Sequence, residues 1–212
     1  MIKLAIFDVD FTITKKETLI EFYKFNIKRK KSLLKYLPKA LFSGGMYLLG
    51  KYDEKQVKES FLSFIDGINE KELMEIVKEY YEDKLKNILY KDAIKKIKEL
   101  KKEGYYIYLI SASPEFYLNE LYKIEEIDKI IGTKFSFEDS KFKSKMLGEN
   151  CKGKEKVNRL YEVLKEENLN VDFNESYMFS DSLSDKPLLD LVGKPYLINY
   201  KKDTKMKVLN WR

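Results

Sequence analysis

The chain begins with an apolar run, "IKLAIF", that stops abruptly at the acids Asp8 and Asp10. A short continuous run closed by polar residues predicts a buried strand with a polar carboxyl end. Over residues 18–90 the period changes. "ETLIEFYKF", "QVKESFLSFI" and "EKELMEIVKEYYEDKL" carry apolar residues at three- and four-residue steps, the spacing of amphipathic helices. Breaks are expected near Pro38, Gly44-Gly45, Gly50 and Asp66-Gly67. Then "KDAIKKIKELKKEG" predicts a helix with Gly104 as its C′ residue. A strand over 105–110 follows and ends in Ser111-Ala112-Ser113. The remainder predicts a helix over 115–126, a strand in "KIIGTKF" and a hairpin turning near Glu138-Asp139-Ser140. A helix in "GKEKVNRLYEVLKEEN" and strands in "ESYMFSDS" and "KPYLINY" complete the series.

Strands that alternate with helices predict an α/β fold, a parallel sheet with helices on both faces. Three polar clusters, Asp8-Asp10, Ser111-Ser113 and Asp181-Asp185, each follow an apolar strand. Ligands of open sheets sit at the carboxyl ends of the strands, so clusters far apart in sequence are expected to share one crevice. In an extended strand Asp8 and Asp10 would face the same side and repel, which favours a cation close by. An acid after a strand can simply cap the next helix. That explains one acid, not four at strand ends.

The chain contains no histidine, which removes the Ser-His-Asp and Cys-His hydrolase schemes and imidazole metal sites. Carboxylate oxygens alone select a hard cation, Mg²⁺ ahead of Ca²⁺. A phosphate monoester suits such a site, because its hydrolysis needs neutralised oxygens and an in-line nucleophile. A carboxylate is the available nucleophile. Asp8 would attack phosphorus, while Asp10 would protonate the leaving oxygen and then take a proton from the hydrolytic water. Thr12, Ser111 and one lysine could bind phosphoryl oxygens.

Charge and composition narrow the partners. The formal charge is +6, and charged residues make up 36% of the chain, mostly Lys and Glu at helical spacing. The basic residues are dispersed, with one denser patch at Lys28-Arg29-Lys30-Lys31, and no nucleic-acid module is present. Nucleic acid is therefore not expected as a partner. A single cysteine, Cys151, forbids an intrachain disulfide and suits a cytoplasmic location. The opening residues do not have the form of a signal peptide, and no apolar run is long enough to span a bilayer. Residues 33–49, "LLKYLPKALFSGGMYLL", are interrupted by Lys35, Pro38, Lys39 and Gly44-Gly45. They are expected to form a broken amphipathic helix packed in a small domain rather than a membrane contact.

"DVDFTIT" (residues 8–14) resembles the first motif, D-x-D-x-T-x-T, of the haloacid dehalogenase superfamily of phosphohydrolases. "LISAS" resembles its second motif and "FSDSLSDKPLL" its fourth. The helical block resembles the cap of the phosphoserine-phosphatase-like branch. The resemblance implies a Rossmann-like core over 1–15 and 91–212 and an inserted helical cap over 16–90. It implies Asp8 as nucleophile and Asp10 as acid/base in a phosphatase acting on a small phosphomonoester. Mg²⁺ would be held by Asp8, the backbone carbonyl of Asp10 and Asp181, with Asp185 acting behind them or through water. Thr12, Ser111, Ala112 and a lysine would bind phosphate. Of Lys152, Lys154 and Lys156 in "CKGKEKVNRL", Lys156 best matches the pattern Cys-x-Gly-x-x-Lys.

Two positions set the chain apart from that pattern. Phe11 stands where the branch often has glycine, which would narrow the entrance and make it more apolar. "YDEKQVKESFLSF" holds no arginine of the kind that grips a substrate carboxylate, whereas Glu17 matches an acid that contacts an amino group. A substrate with an amine or polar head and no obligatory carboxylate is expected, although Glu17 would also start its helix favourably. A phosphoserine phosphatase proper, and a phosphotransferase using the same phospho-aspartate, remain alternatives. A signalling receiver domain is disfavoured, because its phosphorylated Asp lies on a mid-chain strand, whereas this one ends in Ser111-Ala112-Ser113.

Overall fold

The computed structural model describes all 212 residues. In chain order its strands are β1 (Leu4–Phe7), β2 (Tyr106–Pro114), β3 (Lys129–Thr133), β4 (Phe135–Glu138), β5 (Lys141–Met146), β6 (Tyr177–Ser180), β7 (Lys194–Ile198) and β8 (Lys207–Leu209). Six of them form a parallel sheet in the order β3-β2-β1-β6-β7-β8, and β4-β5 form a separate antiparallel pair. Placing β1 in the middle, flanked by β2 and β6, brings the three polar strand ends side by side.

Residues of β1 alternate between two cores. Ala5 and Phe7 pack on one face of the sheet and Leu4 and Ile6 on the other, all of them fully buried. Both faces are therefore covered, which is why the strand reads as continuous apolar sequence rather than as alternation. Helices α7 (Lys154–Glu166) and α8 (Lys186–Leu189) supply Leu160, Leu164, Leu188 and Leu189 to the second face. The first face receives Ala93, Ile97 and Leu100 from α5 (Lys91–Lys102), and Phe7 and Phe179 stack there at 4.6 Å.

Between β1 and α5 lie α1 (Thr18–Arg29), α2 (Leu37–Leu48), α3 (Glu54–Leu62) and α4 (Glu70–Asp83). Asp53 and Gln56 close a capping box at the start of α3. The expected break at Gly44-Gly45 does not occur, and α2 runs through both glycines. Pro38 falls in its first turn, where the missing N–H costs nothing, and Gly50 at φ +67° follows its end. Nor is this stretch packed inward as expected. Leu41, Phe42, Leu48 and Leu49 are exposed, and Ser43 is the one buried residue of α2.

Other boundaries also differ from the pattern. β2 continues to Pro114, past its expected end, because Pro114 pairs with Thr133 beyond a register shift. The helix expected over 115–126 is one turn, α6 (Glu115–Leu118), followed by a 3-10 segment, Asn119–Lys123. The pattern does not predict the edge strand β8, since three residues are too few for periodicity to register. The β4-β5 hairpin turns at Asp139 and Ser140, with φ of 49° and 56°, the paired left-handed residues of a tight two-residue turn. The backbone N–H of Gly67 donates to Phe142 O at 2.8 Å, and Phe142 N–H donates to Ile68 O at 2.9 Å. The hairpin is thereby tied to the inserted helices. No helix of the chain is long and apolar enough to cross a membrane.

Candidate active site

β1 ends at Phe7, so Asp8 and Asp10 lie in a turn rather than on one strand face. The N–H groups of Thr12, Ile13 and Thr14 all donate to Val9 O, at 3.2, 2.9 and 3.0 Å, and wind the chain tightly around that carbonyl. Phe11 takes φ 58° to allow this, a left-handed conformation that explains why glycine suits the position. The turn sends the two carboxylates in different directions, contrary to the shared face expected of an extended strand. Asp8 is buried and Asp10 is half-buried. Asp8 Oδ1 accepts from Lys156 Nζ at 2.7 Å, and its Oδ2 accepts from Thr12 Oγ1 at 3.1 Å. Asp10 instead turns toward α1 and β2, with Oδ1 accepting from Thr18 N–H and Oδ2 from Ser113 Oγ, both at 2.6 Å.

Three lysines were open candidates, and they have three different surroundings. Lys154 is exposed, Lys152 pairs with Glu54, and Lys156 is buried against the acids. Gly153 takes φ 55° and turns the chain into α7 so that Lys156 points inward. Its ammonium also donates to Asp185 Oδ2 at 2.7 Å, an oxygen that Ser180 Oγ reaches at 2.9 Å. Burial alone would lower the Lys156 pKa, but Asp8 and Asp185 outweigh it and hold the ammonium above its ordinary range. Burial pushes the Asp8 carboxyl up against the pull of Lys156, and Asp185 and Asp10 add to the rise.

Asp181 follows β6, and its N–H donates to Thr12 Oγ1 at 2.8 Å. The Thr12 hydroxyl is thus committed on both sides and fully buried, so it buttresses Asp8 and the turn after β6 instead of facing the opening. Burial raises Asp181 to about 6, Asp185 adds to the rise, and Lys156 opposes it. Its carboxylate accepts no hydrogen bond from another residue. Asp8, Asp181 and Asp185 line one cleft and outnumber the Lys156 ammonium that pairs with two of them, which leaves hard oxygens and negative charge in excess. This fits Mg²⁺, which takes few protein ligands and keeps several waters. No three acid side chains converge as a ready-made cage, so water or substrate oxygens would have to complete the coordination.

The cleft has a volume of about 590 Å³. Asp8, Asp10, Phe11, Glu17, Ser111, Ala112, Lys156, Asp181 and Asp185 all line it; Thr12 lies beneath. Ser111 Oγ accepts from Ser113 N–H at 3.0 Å, which fixes the turn at the end of β2. Glu17 is the N-cap of α1 and accepts from Ile20 N–H at 3.1 Å. Burial and then Asp10 raise its carboxyl to about 7.

Periodicity does not single out Lys58. This α3 side chain reaches into the cleft, donating to Ala112 O at 2.6 Å and Asn150 Oδ1 at 2.7 Å. Burial lowers it to about 8, with Asp10, Glu54 and Glu17 opposing. Asn150 Nδ2 in turn donates to Glu54 Oε2 at 2.9 Å. The sequence signal for Lys58 is a cation in residues 52–64, the segment that holds no arginine.

Comparison with known proteins gives the family. A family model described as haloacid dehalogenase-like hydrolase matches residues 5–190. The phosphoserine phosphatase SerB1 of Mycobacterium tuberculosis is 26% identical over 200 residues, 92% of this chain and 64% of that protein. The "inhibition of morphological differentiation protein" of Streptomyces azureus is 24% identical over 202 residues, spanning 92% of this chain and 71% of its own length. Among solved structures, a protein of unknown function from Bordetella pertussis Tohama I superposes with a TM-score of 0.84 at 21% identity, covering 95% of this chain and 92% of that one. A substrate-bound phosphoserine phosphatase superposes with a TM-score of 0.63 at 19% identity, over 95% and 88% of the two chains. Sheet order, strand-end acids and the family match together mean that this chain belongs to the haloacid dehalogenase-like hydrolases.

Proposed function

We propose that the chain is a Mg²⁺-dependent phosphatase that cleaves a small phosphomonoester through a phospho-aspartate at Asp8. One observation carries the reading: Asp8 is held between Lys156 and Thr12, while Asp10, two residues on, is turned away toward Ser113 and Thr18. The two carboxylates thus have different partners, as different roles require. A carboxylate oxygen of Asp8 attacks phosphorus. The bond to the leaving oxygen breaks with its electron pair, and Asp10 delivers a proton to that oxygen. Asp10 then takes a proton from water as the water oxygen bonds to phosphorus and the Asp8–phosphorus bond breaks. Phosphate leaves and Asp8 is regenerated.

Lys156 supports this sequence by keeping positive charge beside Asp8 and the phosphoryl oxygens. The Ser111 hydroxyl and the backbone N–H of Ala112 bind those oxygens, and Thr12 positions Asp8. Asp8, Asp181 and the Asp10 carbonyl would hold Mg²⁺, with Asp185 acting through water; the ion supplies charge neutralisation at the phosphoryl group. Residues 16–90 act as a cap that excludes water and selects the leaving group. Glu17 lines the leaving-group end and suits an amine-bearing head, while the Lys58 ammonium suits a polar head that presents oxygen acceptors. A reducing cytoplasm suits the buried Cys151, whose thiol burial pushes up to about 11. The relatives named phosphoserine phosphatase keep phosphoserine among the substrates to try.

Phosphate release from a panel of phosphomonoesters, with and without Mg²⁺ and alongside Asp8→Asn, tests the proposal. Mg²⁺-dependent turnover that vanishes in Asp8→Asn is expected. Turnover that survives the substitution would remove Asp8 as nucleophile, and phosphate appearing on an added alcohol would make the chain a transferase.

A further inference from the structure

Helix α2 has its polarity reversed. At about 100° per residue, Leu37, Leu41, Phe42 and Leu48 fall on one arc, with Pro38 and Gly45 between them and Leu49 just beyond the helix. Leu41 is 67% exposed, Phe42 61%, Leu48 86% and Leu49 74%. The opposite side carries Ser43, the buried residue of the helix, whose hydroxyl bonds to Lys39 O and the Ser60 hydroxyl of α3. The helix therefore packs through small and polar groups and turns its large apolar groups outward. Exposed apolar residues are ordinary when scattered, but a contiguous stripe marks a binding surface.

The charges of the segment that carries this stripe say what it fits, and the next acid to touch α2, Glu54, accepts from Tyr47 on the other side of the helix. From Phe22 to Tyr52 the chain has Lys24, Lys28, Arg29, Lys30, Lys31, Lys35, Lys39 and Lys51 and not one acid. Lys28, Lys30, Lys31, Lys35, Lys39 and Lys51 are all exposed, and none of them makes a salt bridge. A second copy docked symmetrically on this face would set lysines against lysines, which association disfavours. An anionic bilayer instead pairs with the lysines and takes up the leucines. An amphipathic helix lying in the interface buries such a face to about 5–10 Å.

We propose that α2 and its flanking lysines dock the protein on an anionic lipid surface. Tyr47 of the same helix lines the catalytic cleft, so docking would set the cleft entrance beside the bilayer. This inference does not depend on which reaction the cleft performs.

Flotation of the full chain with vesicles tests it. Vesicles of phosphatidylcholine alone should leave the protein behind, and mixed phosphatidylcholine–phosphatidylglycerol vesicles should carry it up at low salt. Leu41→Asp with Leu48→Asp should lower partitioning at least about tenfold without changing the melting temperature. Lys35→Gln with Lys39→Gln should lower it about 25-fold, roughly fivefold per lysine. No flotation on anionic vesicles at low salt overturns the proposal, as does flotation that survives the leucine double variant. A dimer seen by light scattering without vesicle binding, and dispersed by the same variant, would assign the stripe to a second copy instead.

Discussion

Lys156 and Lys58 approach the same cleft from opposite sides, and both are buried, yet they differ electrically. Lys156 comes from the sheet side and meets two carboxylates, Asp8 and Asp185. Lys58 comes from the inserted helices and meets a carbonyl and an amide oxygen, with carboxylates only at longer range. Burial pulls both ammonium groups down; formal charge at contact distance reverses the outcome for the first and not for the second. The floor of the cleft thus has a permanent cation and its roof an adjustable one. Under the proposed mechanism the first serves the phosphoryl group, which is always present, and the second the leaving group.

Removing Lys156 should break this comparison most severely. Lys156→Met removes the ammonium that Asp8 and Asp185 share, and phosphate release should fall by about a hundred- to a thousandfold. A loss below tenfold would show that the lysine does not act on phosphoryl oxygens. Lys58→Met should cost less, on the order of ten- to a hundredfold in kcat/KM, carried mainly by KM. If kcat alone fell, Lys58 would belong to the chemistry and not to recognition.

pH sharpens the contrast. A lysine that must be charged to bind substrate loses that charge as pH passes about 8 for Lys58, whereas Lys156 stays charged. KM should rise above pH 8 in the native chain and lie flat in Lys58→Met. Stability has the opposite sign. The unfolded chain keeps its Lys58 proton up to the ordinary lysine range, so the penalty for burying the charge is full below pH 8 and fades as pH rises from there toward 10.5. Lys58→Met should therefore melt higher than the native chain at pH 7, and the gap should narrow toward pH 10.

The smallest effect belongs to Glu17. Its folded pKa, about 7, exceeds the ordinary 4.5, so its neutral form stabilises the fold at low pH and that contribution is lost as pH rises through 7. Glu17→Gln keeps an oxygen for the Ile20 N–H and should remove this slope, a change on the order of 1–2 kcal/mol read from melting curves between pH 5 and 8. The same variant should lose several-fold more activity on amine-bearing esters than on neutral ones. An equal loss on both would leave Glu17 only as a helix cap.

Legibility in the sequence followed the range of the interactions involved. Asp8, Asp181 and Ser111 could be placed in one crevice because each follows an apolar strand, and parallel strands put their carboxyl ends together. The direction of Asp10 could not be read, since it depends on a turn around Val9 O and on Ser113, 103 residues away. Lys58 was invisible for a similar reason: a flexible side chain crosses 54 residues of sequence to reach Ala112 O. The outward turn of the α2 leucines is not legible in the sequence, because periodicity reports that a helix has two faces and not which one meets the protein.

The hairpin tied to the inserted helices has a mechanical consequence. The helices of residues 16–90 join the sheet by two strands of chain, but β4 and β5 add two more, running out through Lys134 and back through Leu147. Glu70 N–H donates to Ser140 O, Ser144 N–H to Asp66 Oδ1 and Met146 N–H to Glu59 Oε1, each at 2.8 Å. Four tethers resist twisting where two would permit it. If residues 16–90 move as the proposed cap, they would swing with the hairpin as one plate, along a line set by all four crossings, a door on a long hinge and not a flap on a single thread.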